Sequence, residues 1–408
     1  MITKETLKGI IVSQRDSLDK LDLGILREKE KEIKIAGPFA LLITGIRRCG
    51  KSTFLHQILK RQKRGYYLNL EDPRLEGFEL SDFNKAELIM KELYGEGGTY
   101  FFDEIQNIEK WEKFVRYLID KKDNVIITGS NASLLSRELG TKLTGRHLQL
   151  ELFPFSYQEF LKMKKENPSI KSFDEYLDKG GFPEYLKGED PSINNELLSD
   201  VVMKDVAVRF GIKNTSMLNK IAVYLISNVG KEFSYNSIKK MLEIKSVQSV
   251  IDYISYFENS YLIFTVPRFS YSYKQQQVSP KKVYSIDNGF SYVNSASFSK
   301  DRGKMLENAV FLGLRRKFKD IFYFQEKNEC DFLVKQKDKI IMAVQSCFDF
   351  NEENKKRETN GLISALTKFN LKEGLILTFN QNDEFFVEGK KISVKPAWKW
   401  LLSDLIAV

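Results

Sequence analysis

The sequence predicts an α/β fold of several domains, the first built on a parallel sheet, and three observations predict it. The apolar run 39–44 leads directly into the glycine-bounded loop Gly45-Ile46-Arg47-Arg48-Cys49-Gly50-Lys51-Ser52, and a helical pattern from Ser52 to about Lys60 follows. A second apolar run, 99–104, ends in the paired carboxylates Asp103 and Glu104. A third, 124–128, ends in Gly129-Ser130-Asn131. That places small polar side chains at the C-terminal edge of a parallel sheet, where nucleotides bind in such folds.

The loop matches GxxxxGK[ST], and each residue type has a physical reason. Two glycines let the backbone curl so that N–H groups point inward, and the following helix adds the positive end of its dipole to that anion cradle. Lys51 reaches the β and γ phosphates of ATP, Ser52 offers a hydroxyl to Mg²⁺, and the loop from Gly45 through Ser52 and Thr53 makes the nucleotide contacts. The run 99–104 has the form of a Walker B segment: Asp103 holds the magnesium through water and Glu104 polarises the attacking water. Capping of a helical pattern over 105–118 is the structural alternative for this pair, but capping needs only one carboxylate. Asn131 is a γ-phosphate sensor candidate. Arg146, which precedes the strand pattern 147–152, is a candidate to stabilise charge on the transferred phosphoryl group, in cis or across a subunit boundary. Its alternative role is a structural ion pair.

Several motifs together resemble one family. They are the loop itself; Tyr100-Phe101-Phe102-Asp103-Glu104-Ile105-Gln106-Asn107 with Trp111 close behind; Ile127-Thr128-Gly129-Ser130-Asn131-Ala132-Ser133-Leu134-Leu135; Thr144-Gly145-Arg146; and Leu152-Phe153-Pro154-Phe155-Ser156-Tyr157-Gln158-Glu159-Phe160. The chain is similar over nearly its whole length to AAA+ ATPases with an AAA_14-type P-loop domain and a C-terminal part called DUF4143, related to the archaeal and Orc/Cdc6-like branch. The resemblance implies ATP hydrolysis with Mg²⁺ and supplies no substrate.

At 408 residues the chain is too long for one core, since cores stop growing at roughly 250–300 residues. The expected order is an N-terminal helical lead (1–35), a P-loop AAA+ core (36–155), a helical lid (156–225), a winged-helix domain (226–295) and a degenerate nuclease-like α/β domain of DUF4143 type (296–408). The lid carries Gly180-Gly181-Phe182-Pro183-Glu184-Tyr185, a glycine-proline turn that also resembles the family. In the winged helix, Ser234 and Ser246 are placed to cap two helices, with strands at 261–267 and 282–286. A DNA-reading version presents Lys245, Ser246, Gln248 and Ser249 to the major groove, with 270–282 as a wing bearing Tyr271, Tyr273, Lys274, Lys281 and Lys282. Winged helices also serve as protein-protein modules.

From Gly303 onward the pattern looks like a PD-(D/E)xK nuclease core, with Glu307 on a helix and strands at 323–326, 330–334 and 340–347. Asp331 and Glu307 fit two of the metal-holding acids. Gln345 and Cys347 stand where the motif's Glu and Lys belong, and a neutral carbonyl with a thiol cannot replace them. The expectation is a retained fold with little or no nuclease activity.

Hydrophobic residues at 42% and charged residues at 29% are ordinary for a globular chain. No apolar run of about 18 residues occurs and the N-terminus lacks a signal-peptide pattern, so a cytoplasmic protein without membrane contact is expected. Three cysteines without a CxxC pair imply neither a disulfide framework nor a cysteine zinc site. The net charge of +9 arises from 64 basic and 55 acidic residues and suits contact with a polyanion without requiring it. Three functions fit: an ATP-driven switch or machine on double-stranded DNA, a nucleotide-regulated protein-interaction module, and an ATP-dependent nuclease. Assembly into a homo-oligomer on nucleotide binding is a further expectation.

Overall fold

The computed structural model describes residues 2–33, 39–130, 146–296 and 301–403, and the chain divides into two compact units, Met1–Phe153 and Pro154–Val408. The first unit opens with α1 (Lys4–Asp19), capped by Thr3, which buries the stripe Leu7, Ile10, Ile11 and Leu18. Strand and helix then alternate: β1 (Ala40–Thr44), α2 (Lys51–Lys60), β2 (Gly65–Asn69), α3 (Asp82–Tyr94), β3 (Thr99–Asp103), α4 (Trp111–Asp120), β4 (Val125–Gly129) and β5 (His147–Glu151). All five strands are parallel, in the order β2-β3-β4-β1-β5. Helices on both faces bury β3 and β4 completely, which is why both read as unbroken apolar runs. Beneath α3 and α4, Phe83 stacks on Phe114 at 4.6 Å and meets Phe102 edge-on at 5.6 Å. The helix expected over 105–118 starts later, at Trp111, because Glu104 and Lys110 both turn left-handed and confine 105–107 to a 3-10 turn.

The second unit begins with helices: α5 (Tyr157–Lys164), α6 (Ile170–Lys179), α7 (Pro183–Gly188), α8 (Pro191–Asp200) running into a π-helical stretch Val201–Val208, and α9 (Thr215–Ser227). A small module follows, made of β6 (Glu232–Phe233), α10 (Tyr235–Met241), α11 (Val247–Asn259), β7 (Ile263–Pro267), α12 (Tyr273–Val278) and β8 (Lys281–Ser285). Its strands form an antiparallel sheet in the order β6-β8-β7. Ser234 caps α10 by accepting from Ser237 N–H, and Ser246 caps α11 by accepting from Gln248 N–H. Where a wing was expected across 270–282, the chain instead folds the short helix α12, capped by Ser272.

The chain continues through α13 (Asn288–Asn294), α14 (Arg302–Arg315), β9 (Ile321–Gln325), β10 (Glu329–Gln336), β11 (Lys339–Ser346), α15 (Glu352–Lys368), β12 (Glu373–Thr378), β13 (Asp383–Val387), β14 (Lys390–Pro396) and α16 (Ala397–Leu402). The six strands form a mixed sheet, β13-β14-β12-β11-β10-β9, with β11, β12 and β14 parallel. Asp287 fastens the helical part of this unit to the small module. Its buried carboxylate caps α13 at Phe290 N–H (2.9 Å) and accepts from Gly181 N–H (2.6 Å). Gly181 is required there, since a Cβ would lie 2.2 Å from the Phe155 carbonyl.

Candidate nucleotide-binding site

The loop between β1 and α2 and the end of β3 meet at the C-terminal edge of the five-stranded sheet. Gly45 leaves β1 pressed against the end of β5, where a Cβ would fall 2.1 Å from the Leu152 carbonyl oxygen. Arg48 and Gly50 take positive φ, 61° and 96°, and these turns curl the loop so that α2 begins at Lys51 with its N-terminus facing the loop. Ile46 and Cys49 are buried beneath it, and the Cys49 thiol donates to the Leu152 carbonyl at 3.3 Å. Arg47 and Arg48 are half-buried, Ser52 is half-buried and Thr53 is exposed.

Lys51 lies buried with its Nζ 3.2 Å from the Ile46 carbonyl and 3.6 Å from Glu104 Oε1. The Asp103 carboxylate is held on three sides: the Thr128 hydroxyl donates to Oδ1, the Tyr67 hydroxyl lies 3.3 Å from Oδ2, and Ser52 hydrogen-bonds it from α2. Thr128 Oγ1 also accepts from Glu104 N–H at 2.9 Å, so one hydroxyl at the end of β4 organises both acids. Glu104 stands at φ +50°, a strained conformation for a side-chain-bearing residue that costs on the order of 1–3 kcal/mol. The turn swings its carboxylate away from the path of β3 and toward Lys51.

Electrostatics separates the two carboxylates. Burial, then the charge of Glu104, pushes the Asp103 carboxyl up to about 6, against hydrogen bonds from Thr128 and Ser52 and the charge of Lys51. Burial also acts to raise Glu104, but Lys51, the Gln106 amide and Arg47 together hold it below the ordinary glutamate value. A resident cation near Asp103 relieves the first strain, and Ser52 with Asp103 is a donor set suited to Mg²⁺, which keeps most of its waters.

A family model described as AAA domain matches residues 38–161. The uncharacterized protein MJ1544 of Methanocaldococcus jannaschii is 34% identical, across 99% of this chain and 97% of its own length. The chain belongs to the AAA+ ATPase family. A second model, a domain of unknown function (DUF8612), matches residues 170–298, which takes in both the helices α6–α9 and the small three-stranded module. That label differs from the DUF4143 of the sequence reading. An uncharacterized protein of Haemophilus influenzae is 29% identical over 89% of this chain and 94% of its own. Among solved structures, the Aeropyrum pernix ORC1 protein in complex with DNA covers 69% of this chain and 95% of its own, at 13% identity and a TM-score of 0.31. AMPPCP-bound DnaA from Aquifex aeolicus covers 63% and 89%, at 17% identity and a TM-score of 0.27. Overlaps of that size carry no functional argument.

In this AAA+ chain the sequence-predicted residues divide into three groups. Gly45 to Thr53, Asp103 and Glu104 converge on one edge of the sheet. Asn131 lies outside the described residues. Arg146 is at the opposite edge: it immediately precedes β5, its carbonyl accepts from Ala40 N–H at 3.1 Å, and Ala40 pairs with His147 while Thr44 pairs with Glu151. Five residues of strand, roughly 16 Å, therefore separate it from the loop. Arg146 is half-exposed and its Nη1 pairs with Asp120 at 2.6 Å, at the end of α4. A role in cis is thus corrected by the parallel topology, because the residue before a strand and the loop after its neighbour occupy opposite edges.

Three residues were missed. Thr128 and Tyr67 touch Asp103 as described. Arg27, 5% exposed, donates from Nη1 to the Cys49 carbonyl of the loop (2.9 Å) and from Nη2 to the Phe153 carbonyl (2.6 Å). Only the strand-end position of Thr128 carried a readable signal; an arginine 22 residues before Cys49 carried none.

Among the described residues, no helix is long and apolar enough to cross a membrane.

Proposed function

We propose that the chain binds ATP and Mg²⁺ on Lys51, Ser52 and Asp103 and hydrolyses the nucleotide with Glu104 as the water-polarising carboxylate. The observation that carries this reading is the convergence of Lys51, Asp103 and Glu104 at one sheet edge, with Lys51 Nζ 3.6 Å from Glu104 Oε1. The loop N–H groups and the start of α2 receive the phosphates, Lys51 moves from Glu104 to the γ-phosphate, and the released carboxylate accepts the proton of the attacking water. Magnesium held by Ser52 and Asp103 would supply charge neutralisation for the phosphates. Arg146 acts only on a neighbouring subunit's nucleotide, which requires assembly of a homo-oligomer.

The work driven by hydrolysis is a change of state read out through the second unit, and double-stranded DNA is its first candidate partner. Lys245, Ser246 and Gln248 remain exposed at the start of α11, as a groove-reading helix needs. A second reading, a protein partner, is favoured by the segment between β7 and β8. It folds as α12 and exposes Tyr271, Tyr273 and Val278 at 80%, 74% and 72% instead of a basic wing, and Lys282 is buried. ATP turnover measured with duplex DNA, with RNA and with neither, at stated salt, tests both. Stimulation by duplex DNA that falls with added salt and disappears in Lys245→Ala supports the first reading. Turnover indifferent to nucleic acid refutes it and leaves the second. Turnover that survives Lys51→Ala sinks the site itself.

A further inference from the structure

The second unit holds another cluster of buried charge. Glu307 on α14 and Asp331 on β10 come together at 5% and 6% exposure, the two positions that matched metal-holding acids of a nuclease. The sequence lacks the lysine of that motif, because Cys347 takes its place, yet the fold delivers an ammonium from another element. Lys282 on β8, 2% exposed, sets its Nζ 2.9 Å from Asp331 Oδ1, 3.3 Å from Glu307 Oε1 and 2.5 Å from Glu329 Oε1.

The other oxygens of the pair are engaged as well. The Tyr284 hydroxyl donates to Glu307 Oε1 at 2.7 Å, Lys304 Nζ to Glu307 Oε2 at 2.7 Å, and Ser346 N–H to Asp331 Oδ2 at 2.9 Å. Gln345 is tied into the same network: its Oε1 accepts from Asp331 N–H at 3.1 Å and its amide donates to Glu358 at 2.7 Å. A cleft of about 610 Å³ runs past these residues, so access from solvent is not what closes the site.

We propose that Lys282 is the resident cation of the Glu307–Asp331 pair: an ammonium carried in by the three-stranded sheet takes the position a divalent metal would need and makes the nuclease-like cleft a metal-free joint. A metal bridging the same two oxygens at its usual ligand distance of about 2.0–2.6 Å would lie almost on the ammonium, and two cations cannot share that space. The joint ties β8 to α14 and β10, so the module bearing α10 and α11 is held to the α/β module by buried charge. The absent nuclease motif is therefore a replacement, with the cation changed from a metal to a side chain.

The test is Mn²⁺ binding to the nucleotide-free full-length chain, followed by electron paramagnetic resonance, in wild type, Asp331→Asn, Lys282→Met and Lys282→Met/Asp331→Asn. Methionine keeps the unbranched apolar stem of lysine and ends one atom short, where the ammonium stood. Wild type is expected to show no Mn²⁺ binding that Asp331→Asn removes. Lys282→Met is expected to gain one site per chain, tighter by about ten-fold or more than anything in wild type, and the added Asp331→Asn to abolish it. An Asp331-dependent Mn²⁺ site in wild type, or a folded Lys282→Met chain without one, overturns the proposal. Should Lys282→Met not fold, Lys282→Met/Glu307→Gln removes one of the two stranded charges and is expected to recover folding. A double variant no more stable than the single overturns the proposal equally.

Discussion

Glu104→Gln should separate binding from chemistry in opposite directions. In the nucleotide-free site Lys51 and Glu104 stand 3.6 Å apart, which at an effective dielectric of about 20 is an attraction of about 4–5 kcal/mol. ATP must draw Lys51 onto its phosphates against that attraction, and most of the loss is returned by the new charges it meets. If about 1–2 kcal/mol remains, removing the glutamate charge tightens ATP binding by roughly 5–30-fold. The same change removes the general base, which should slow turnover by about 10²–10⁴-fold. Affinity by calorimetry and turnover by phosphate release, on the same preparation, give both numbers. A variant that hydrolyses ATP within a few-fold of wild type refutes Glu104 as the base. One that binds ATP more weakly refutes the claim that the pair opposes binding.

The raised Asp103 carboxyl predicts a pH dependence. Because its folded value of about 6 lies above the ordinary 3.8, the folded chain takes up the proton first and carries an electrostatic cost once that proton leaves. Asp103→Asn should therefore stabilise the nucleotide-free chain above pH 6, by up to about 3 kcal/mol. The advantage should shrink as pH falls below 6 and vanish near pH 4, in chemical denaturation across that range; an advantage constant with pH refutes the assignment. Metal binding should weaken in wild type over the same interval, since the protonated acid cannot hold Mg²⁺. Arg27→Met leaves the Cys49 and Phe153 carbonyls without their charged donor. Each such bond contributes about 1.5–3 kcal/mol, so a drop of several kcal/mol in stability with weakened ATP affinity is expected, partly recovered in Arg27→Lys. Unchanged melting and nucleotide titration would show that the clamp is idle. Arg146→Ala should lower turnover only where chains assemble, and mixing it with Lys51→Ala chains should restore activity, since each supplies what the other lacks. Failure to restore removes the role in trans.

The glycine-bounded loop was legible because its geometry is local. Gly45, Gly50, Lys51 and Ser52 act through the curl of eight consecutive residues, and a turn of that kind is written in the residues that make it. Asp103 and Glu104 were legible for a related reason: a strand buried on both faces is a continuous apolar run, and its polar end marks the sheet edge. Arg146 stayed open between a role in cis, one across a subunit boundary and an ion pair, since a polar residue beside a strand does not itself say which edge of the sheet it occupies. The wing was misread because exposed Tyr, Lys and Gln residues between two strands fit a loop and a short helix equally well, and the Ser272 cap decides for the helix.

The sequence by itself determined that a glycine-bounded loop joins a strand to a helix, that paired acids end a second apolar strand, and that Gln345 and Cys347 follow Asp331 where no further acid or lysine stands. Only the tertiary structure decided that Arg27 grips the loop, that Thr128 and Tyr67 orient Asp103, and that Lys282 crosses from a different sheet to the Glu307–Asp331 pair. Those partners lie between 22 and 49 residues apart in the chain. Spacing constrains contacts only within a turn or a helix; beyond that, the packing of separate elements chooses which charges meet.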